Sequence, residues 1–161
     1  MVSEQTRATA DDIKNYIKQN GIDYQSLYDL LDVAKVAFEK ENDTEWALKV
    51  TSYIKDCCKW AIQNSIEVLQ MDDLYWKTMK AEAPYWFDSY LIYLERKRER
   101  RDMFYLPKRK QLNKHGLIQA MQDLEDDKLD ILSISMPPGT QKTTLEKFFA
   151  SWIIGRHPDD Y

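Results

Sequence analysis

A chain of 161 residues with 43% hydrophobic and 31% charged residues is long enough for one domain with a core, or for one helical domain and part of another. No run of the sequence approaches the roughly 20 apolar residues that a membrane span requires, and residues 1–10 lack the apolar core of a secretory signal. The only cysteines, Cys57 and Cys58, are adjacent, which excludes a disulfide framework and an unaided zinc site. The sequence therefore predicts a soluble, intracellular protein with no membrane partner.

The N-terminal part of the chain has the pattern of a helical region. Only four glycines and five prolines occur in the whole sequence, and this scarcity favours helices. Thr9 and Asp12 have the spacing of a helix N-terminus, and Asn20 with the glycine after it ends this first helix. From Tyr24 to Lys40 apolar residues recur at helical spacing with acids and lysines between them, which predicts an amphipathic second helix.

Two further helices are expected before residue 101. The polar break around Asp43 offers that residue or Thr44 as a cap for a long third helix that runs toward Leu69. Pro84 suits the first turn of a later helix, which we expect to continue to about Arg101. We therefore predict a helical N-terminal region over residues 1–100.

A cluster of basic residues lies at the far end of this region. Residues 95–110 contain eight basic residues and three acids, a local net charge of +5 in a chain whose net charge is −4. Such a patch, if exposed, attracts nucleic-acid backbone or nucleotide phosphates. The alternative is a solvated helix face that is neutralised through Glu95 and Glu99. The candidate patch, called the basic patch below, consists of Arg96, Lys97, Arg98, Arg100 and Arg101.

A second organised stretch lies near the end of the chain. The run Ile-Leu-Ser-Ile at residues 131–134 predicts a buried strand of a parallel sheet, and Pro137-Pro138 stops it. Gly139 and Thr140 then predict a turn, and Lys142–Thr144 the start of a helix. Backbone N–H groups and the dipole of that helix would face an anion, while the lysine reaches the same oxygens. This is the geometry of a phosphate site.

The same stretch fits part of the phosphate-loop pattern G-x-x-x-x-G-K-[ST]. Met136 replaces the first glycine and Gln141 the glycine before the lysine, where a missing Cβ normally lets the backbone approach phosphates closely. In this pattern the lysine reaches the β and γ phosphates and the following hydroxyl, here that of Thr143, binds Mg²⁺. The alternative is a strand-turn-helix connection with a surface lysine. The candidate phosphate loop comprises Gly139, Thr140, Gln141, Lys142, Thr143 and Thr144.

Three short sequences in residues 101–160, a little over a third of the chain, resemble those of one protein family. They are Phe-Tyr-Leu-Pro-Lys-Arg-Lys-Gln at 104–111, Ser-Met-Pro-Pro at 135–138, and Gly-Arg-His-Pro-Asp at 155–159 after an aromatic-rich helix. This combination resembles the ATPase domain of the large terminase subunit of tailed bacteriophages. The resemblance implies ATP and Mg²⁺ as cofactors. It also implies that Tyr105 or Phe104 stacks on adenine, that the amide of Gln111 reads the base edge, and that Arg109 approaches phosphate oxygens.

The resemblance also implies a fold and a set of partners. The fold is mainly α, with the N-terminal helical region followed, over residues 101–161, by the opening strand-loop-helix of a P-loop α/β ATPase domain that is incomplete in this chain. The implied activity is ATP-driven packaging of double-stranded DNA into procapsids, in the cytoplasm of an infected bacterial host cell. Other motor subunits, the small terminase and the portal protein are the implied partners. No Walker B strand or catalytic glutamate is recognisable before Tyr161, so we expect the parent protein to be an ATPase and nuclease and this chain alone to be inactive.

Three alternatives stay open at this stage. The loop also resembles that of some helicases and AAA-type ATPases. A second class is a non-enzymatic helical module that binds DNA or protein through a degenerate phosphate loop, of which Gln141 would be the mark. A third is a natural short protein that mimics a terminase to engage its partners.

Overall fold

The computed structural model describes residues 1–160 and is mainly helical, as predicted, with eight α-helices and three short 3₁₀ segments in that range. It divides into two compact units, of which the first spans Met1–Glu82 and the second begins at Ala83. None of the helices over residues 1–160 combines the length and apolar character needed to cross a membrane.

The first unit consists of four helices that pack in sequence order. They are α1 (Glu4–Asn20), α2 (Tyr24–Glu39), α3 (Thr44–Gln63) and α4 (Val68–Glu82). The predicted bounds of α2 are confirmed to within one residue. Asp23 caps the N-terminus of this helix, and its carboxylate accepts a hydrogen bond from the backbone N–H of Ser26. α1 begins earlier than the Thr9 start that the sequence predicts. Its cap is Ser3, whose hydroxyl accepts from the backbone N–H of Thr6 at 3.2 Å.

The third predicted helix is interrupted in the structure, so that Leu69 belongs to α4. The N–H of Ile66 donates to the carbonyl of Ala61 at 2.9 Å, and the N–H of Ser65 to that of Ile62 at 3.1 Å. This pair of bonds is a Schellman motif, which requires a left-handed residue after the helix. Ser65 takes that conformation with φ 60°, in the place where glycine is the usual signal.

The core of the first unit is apolar, with one ion pair at its edge. Buried side chains of all four helices form it; they include Ala10, Ile17, Leu27, Leu30, Leu31, Ala34, Val50, Ile54, Ala61, Met71 and Leu74. Lys55 on α3 lies 2.6 Å from a carboxylate oxygen of Glu82 on α4, whose side chain is 1% exposed. This pair joins the two helices near the end of the unit.

The second unit contains four helices, three of them of nine residues or fewer, and a long extended segment. The helices are α5 (Phe87–Glu95), α6 (Arg109–Lys114), α7 (Leu117–Glu125) and α8 (Lys142–Arg156), and the 3₁₀ segments are Arg100–Asp102, Leu106–Lys108 and Pro158–Asp160. α5 packs against α7 and α8. The first compact unit therefore ends at Glu82, and α5 belongs to the second. The start of an ATPase domain near residue 101 stays a prediction.

Two buried hydrogen bonds connect the helices of the second unit. The indole Nε1 of Trp152 on α8 donates to the carbonyl of Ala83 at 2.8 Å. The side-chain carbonyl of Gln122 on α7 accepts from the backbone N–H of Phe87 at 2.9 Å, at the first turn of α5. Both bonds satisfy polar groups that would otherwise be buried without partners.

The strand predicted from residue 131 is not formed, and the described residues contain no β-strand. Residues 131–137 have no regular secondary structure, although their side chains alternate between exposed and half-buried positions from Ile131 to Met136. That alternation is the pattern of a strand with one covered face. A strand also requires a neighbouring strand for its N–H and C=O groups, and residues 1–160 provide none. The helix that follows begins at Lys142, as predicted.

Candidate functional site

A cleft of about 450 Å³ lies in the second unit. It is formed by α6, α7 and the residues around them, together with the extended segment before α8. Its volume falls in the range of small-molecule sites, which are mostly apolar with a few polar groups that orient the ligand. The residues that line this main cleft are Lys108, Gln111, Leu112, His115, Gly116, Leu117, Ala120, Thr140 and residues 132–137.

The main cleft brings together residues from two of the predicted site segments. Gln111, predicted to read the base edge, lines it from α6, and Thr140 lines it from the candidate phosphate loop. Leu112, Leu132 and Ile134 supply apolar surface. The side-chain amide of Gln111 and the loop residue Thr140 thus share one cavity, although 29 positions separate them in the sequence.

The backbone of the candidate phosphate loop has a defined conformation. Gly139 has φ 79°, in the left-handed region that glycine adopts readily. The hydroxyl of Thr140 donates to the carbonyl of Pro137 at 2.7 Å. Gln141 has φ 62° and ψ 30°, so a non-glycine residue takes a left-handed conformation in the place where the phosphate-loop pattern has glycine. The loop therefore keeps a glycine-like backbone at Gln141 and adds a side chain to it.

The first turn of α8 follows this loop without a side-chain cap. The first intrahelical bond is donated by Leu145 to the carbonyl of Gln141, so the N–H groups of residues 142–144 precede the hydrogen-bond ladder of the helix. Lys142 is half-exposed, with its Nζ 3.9 Å from a carboxylate oxygen of Glu146. Thr143 is exposed and Thr144 half-buried. These N–H groups and the positive end of the helix dipole favour an anion.

The aromatic residues predicted to stack on adenine are covered in this structure. The side chain of Tyr105 is 0% exposed, and its hydroxyl donates to Asp88. Burial, and after it the charge of Asp88, raises the pKa of Tyr105. Phe104 is stacked on Phe148 of α8, with the ring centroids 4.6 Å apart and the planes 7° from parallel. Stacking on a base, which stays a prediction for both rings, requires one of them to be uncovered.

Arg109 faces away from the main cleft. Its Nε lies 2.9 Å from Oδ1 of Asp88 and its Nη2 lies 2.7 Å from Oδ2, a bidentate ion pair. Both residues line a separate side pocket of about 300 Å³, together with Asn113. Burial alone would raise the pKa of Asp88, but hydrogen bonds from Arg109 and Tyr105 outweigh it and lower that pKa. The guanidinium predicted to approach phosphate is thus already paired.

Glu95, at the end of α5, holds the segment before α6. Its carboxylate accepts hydrogen bonds from three consecutive backbone N–H groups, those of Phe104, Tyr105 and Leu106, at 2.5 to 2.9 Å. The Glu95 side chain is fully buried. It therefore does not pair with the exposed basic residues, as one alternative for this stretch supposed.

The basic patch lies after α5, not on it, because the helix ends at Glu95 instead of continuing to Arg101. All five of its residues are exposed. The guanidinium carbon of Arg96 lies 3.7 Å from the ring centroid of Tyr93, and that of Arg98 lies 5.7 Å from the centroid of Phe148. Arg101 pairs with Glu99 at 2.9 Å. The charges are accessible to solvent, and the guanidinium groups of Arg96 and Arg98 lie next to aromatic rings.

The Gly-Arg-His-Pro sequence, which begins in the last turn of α8, is held by acids at the end of α7. Arg156 lies 3.5 Å from a carboxylate oxygen of Asp126 and 3.7 Å from one of Glu125. Nε2 of His157 lies 2.7 Å from Glu125. These contacts connect the two ends of the segment that contains the candidate phosphate loop.

Sequence reasoning missed Asp88 and Glu95, the two acids that organise residues 104–113. Their seven-residue spacing, which places both on one face of a helix, was the available signal. Comparisons with models of protein families, with curated proteins and with solved structures find no match to this chain.

Proposed function

We propose that this chain is the N-terminal portion of a terminase large subunit, the ATP-driven motor that packages phage DNA, and that its main cleft binds ATP. The observation that supports the proposal is the meeting of Gln111 and Thr140 in one cavity of about 450 Å³. A nucleotide requires a base-reading group and a phosphate-binding loop within the reach of one ligand. The resemblance assigned these roles to two separate segments of the sequence, and Gln111 of the first and Thr140 of the second line the main cleft.

The residues present fit a nucleotide. The Gln111 amide can donate to and accept from an adenine edge. The uncapped N–H groups at the start of α8 suit phosphate oxygens. The half-exposed ammonium of Lys142 can donate to oxygens of the β and γ phosphates and offset their negative charge. The exposed hydroxyl of Thr143 can hold Mg²⁺, which commonly takes few protein ligands and completes its shell with phosphates and water. Mg²⁺ bound there would neutralise charge that develops during phosphoryl transfer to water.

The strand-loop-helix opening of a P-loop α/β domain belongs to this proposal. The extended residues 131–137, with their strand-like alternation of exposure, would pair with strands that residues 1–160 do not supply. The basic patch would lie against double-stranded DNA or phosphates, and other motor subunits, the small terminase and the portal protein would be the protein partners. The proposed place of action is the cytoplasm of the infected bacterial host cell.

The proposal is tested by titrating the full 161-residue chain with a fluorescent ATP analogue and Mg²⁺. We expect saturable binding that Lys142→Ala weakens by roughly tenfold or more, because the variant cannot form a charge-assisted hydrogen bond to phosphate. Lys147→Ala is the matched control, since Lys147 is exposed on the same helix but lies outside its first turn. Gln141→Gly should strengthen binding, because glycine adopts the observed φ without a Cβ near the ligand.

Two results would count against the proposal. The first is the absence of saturable binding in the wild-type chain and in Gln141→Gly. The second is equal weakening by Lys142→Ala and Lys147→Ala, which would indicate a general attraction of polyanions. Either result would favour a helical module that binds DNA or protein without nucleotide.

A further inference from the structure

One face of α5 holds the segment that leads into α6. Asp88, in the first turn of α5, binds Arg109 and Tyr105, and Glu95, at its end, binds the backbone of residues 104–106. The side chain of Asp88 is 12% exposed and that of Glu95 is fully buried. Buried carboxylates are costly unless their oxygens are paired, and both have charged or multiple donors. Two points of attachment therefore fix the chain before and within α6.

These attachments determine which way α6 faces. An α-helix turns about 100° per residue, so Gln111 points about 200° away from both Arg109 and Asn113. Arg109 and Asn113 line the side pocket with Asp88, and the hydroxyl of Tyr105 lies 3.4 Å from the side-chain oxygen of Asn113. Gln111 lines the main cleft on the other face. Holding Arg109 against Asp88 thus directs Gln111 into the main cleft.

We propose that Asp88 and Glu95 are positioning residues that set base selectivity by orienting Gln111 in the main cleft. This inference rests on the proposed function, because base selectivity requires that the main cleft bind a nucleotide. An amide reads adenine by accepting from its exocyclic N–H and donating to the ring nitrogen beside it. Guanine presents two acceptors at the same edge, so a rotated or mobile Gln111 would lose the distinction between the two bases.

The test compares the affinities of the full-length chain for ATP and GTP analogues carrying the same fluorophore. We expect Asp88→Asn to reduce the ATP/GTP affinity ratio by roughly fivefold or more, approaching the ratio of Gln111→Ala. Loosening of the fold by itself would weaken both nucleotides alike, because they share the triphosphate. Glu99→Gln is the matched control, since Glu99 is an acid of the same stretch whose side chain is 69% exposed.

A double variant separates positioning from a direct effect. If Asp88 acts through Gln111, Asp88→Asn changes the ratio in the wild-type background but not in the Gln111→Ala background. Arg109→Lys provides a second route in case Asp88→Asn lowers the helix content measured by circular dichroism. It keeps the positive charge but loses the bidentate fork, and should lower the ratio in the same direction.

The outcomes distinguish this inference from the proposed function. Wild-type preference for ATP that survives both Asp88→Asn and Arg109→Lys overturns the positioning role and leaves the nucleotide site intact. The positioning role is also overturned if Asp88→Asn reduces the ATP/GTP affinity ratio equally in the wild-type and Gln111→Ala backgrounds. A wild-type chain that binds neither analogue removes the proposed function and this inference together.

Discussion

Asp88 and Arg109 form a bidentate ion pair that joins α5 to α6, with nitrogen–oxygen distances of 2.7 and 2.9 Å. The hydroxyl of Tyr105 donates to the same carboxylate. This pair accounts for the position of Arg109, which the family resemblance implied as a phosphate ligand. We also expect it to make the stability of the second unit sensitive to acid.

The first prediction concerns that acid sensitivity. The folded state lowers the pKa of Asp88 below its ordinary value of 3.8, so the ionised carboxylate stabilises the fold above that pH. The stabilisation is lost as the pH falls through the lowered pKa. Asp88→Asn should therefore reduce the free energy of unfolding most at pH above about 5, and the difference from wild type should shrink as the pH falls toward about 2. Urea unfolding measured at a series of pH values checks this.

The exposed Asp102 supplies the control for this series. Its side chain is 63% exposed, and Asp102→Asn should change the free energy of unfolding little at any pH of the series. A difference in the free energy of unfolding between wild type and Asp88→Asn that stays constant across the whole pH range would contradict this prediction. It would show that the ionised carboxylate of Asp88 does not stabilise the fold.

The second prediction concerns Glu95. Glu95→Ala leaves the N–H groups of Phe104, Tyr105 and Leu106 without their acceptor, which should cost roughly 2–4 kcal/mol of stability. Glu95→Gln should cost less, because the amide oxygen can still accept. Hydrogen exchange should show faster exchange at these three amides in Glu95→Ala, and Glu99→Ala should leave them as slow as in wild type. Unchanged protection in Glu95→Ala would show that the carboxylate does not hold the segment.

The third prediction concerns the ion pair between Lys55 and Glu82 in the first unit. Lys55→Met keeps apolar bulk but removes the ammonium 2.6 Å from a carboxylate that is 1% exposed. Breaking a buried pair on one side typically costs about 3–5 kcal/mol, and the 17% exposure of Lys55 places our expectation at the lower end. Lys49→Met on the same helix breaks only an exposed pair with Glu45 and should have little effect. Equal midpoints of urea unfolding for the two variants would refute the prediction.

The fourth prediction concerns the basic patch. If it binds DNA backbone, Lys97→Gln with Arg100→Gln should weaken binding to double-stranded DNA of any sequence. The slope of log K against log salt concentration should become shallower by about 0.9 for each phosphate that the variant no longer neutralises. Lys18→Gln with Lys40→Gln removes the same charge from exposed positions of the first unit and is the matched control. The same loss of affinity in both double variants would indicate net charge instead of a defined patch.

Local signals predicted part of the fold. The amphipathic pattern predicted the bounds of α2 to within one residue, and the turn around Gly139 predicted the start of α8 at Lys142. The break after α3 escaped prediction because Ser65, not glycine, occupies the left-handed position. No single-residue signal distinguishes such a serine from one within a helix.

The candidate site was predictable in its segments but not in its orientation. Gln111 and Thr140 line the main cleft together, whereas Arg109 and Tyr105 turn toward Asp88. Positions of the short segment 105–111 face opposite ways because Asp88 and Glu95 hold it through tertiary contacts. Both acids lie at least nine positions away in the sequence from the groups that they bind. Charge counting treated Glu95 as one acid among surface charges, since burial is not visible in composition.

The most direct test of the central claim, that the main cleft is a nucleotide site, is an NMR titration of the ¹⁵N-labelled chain with ATP and Mg²⁺. We predict saturable shifts at the side-chain amide of Gln111 and at the backbone amides of residues 139–144, and smaller shifts at Gln111 when triphosphate replaces ATP. Shifts confined to residues 96–101, with none at Gln111 or the loop, would contradict the claim, because they would show that ATP binds only as a polyanion at the basic patch.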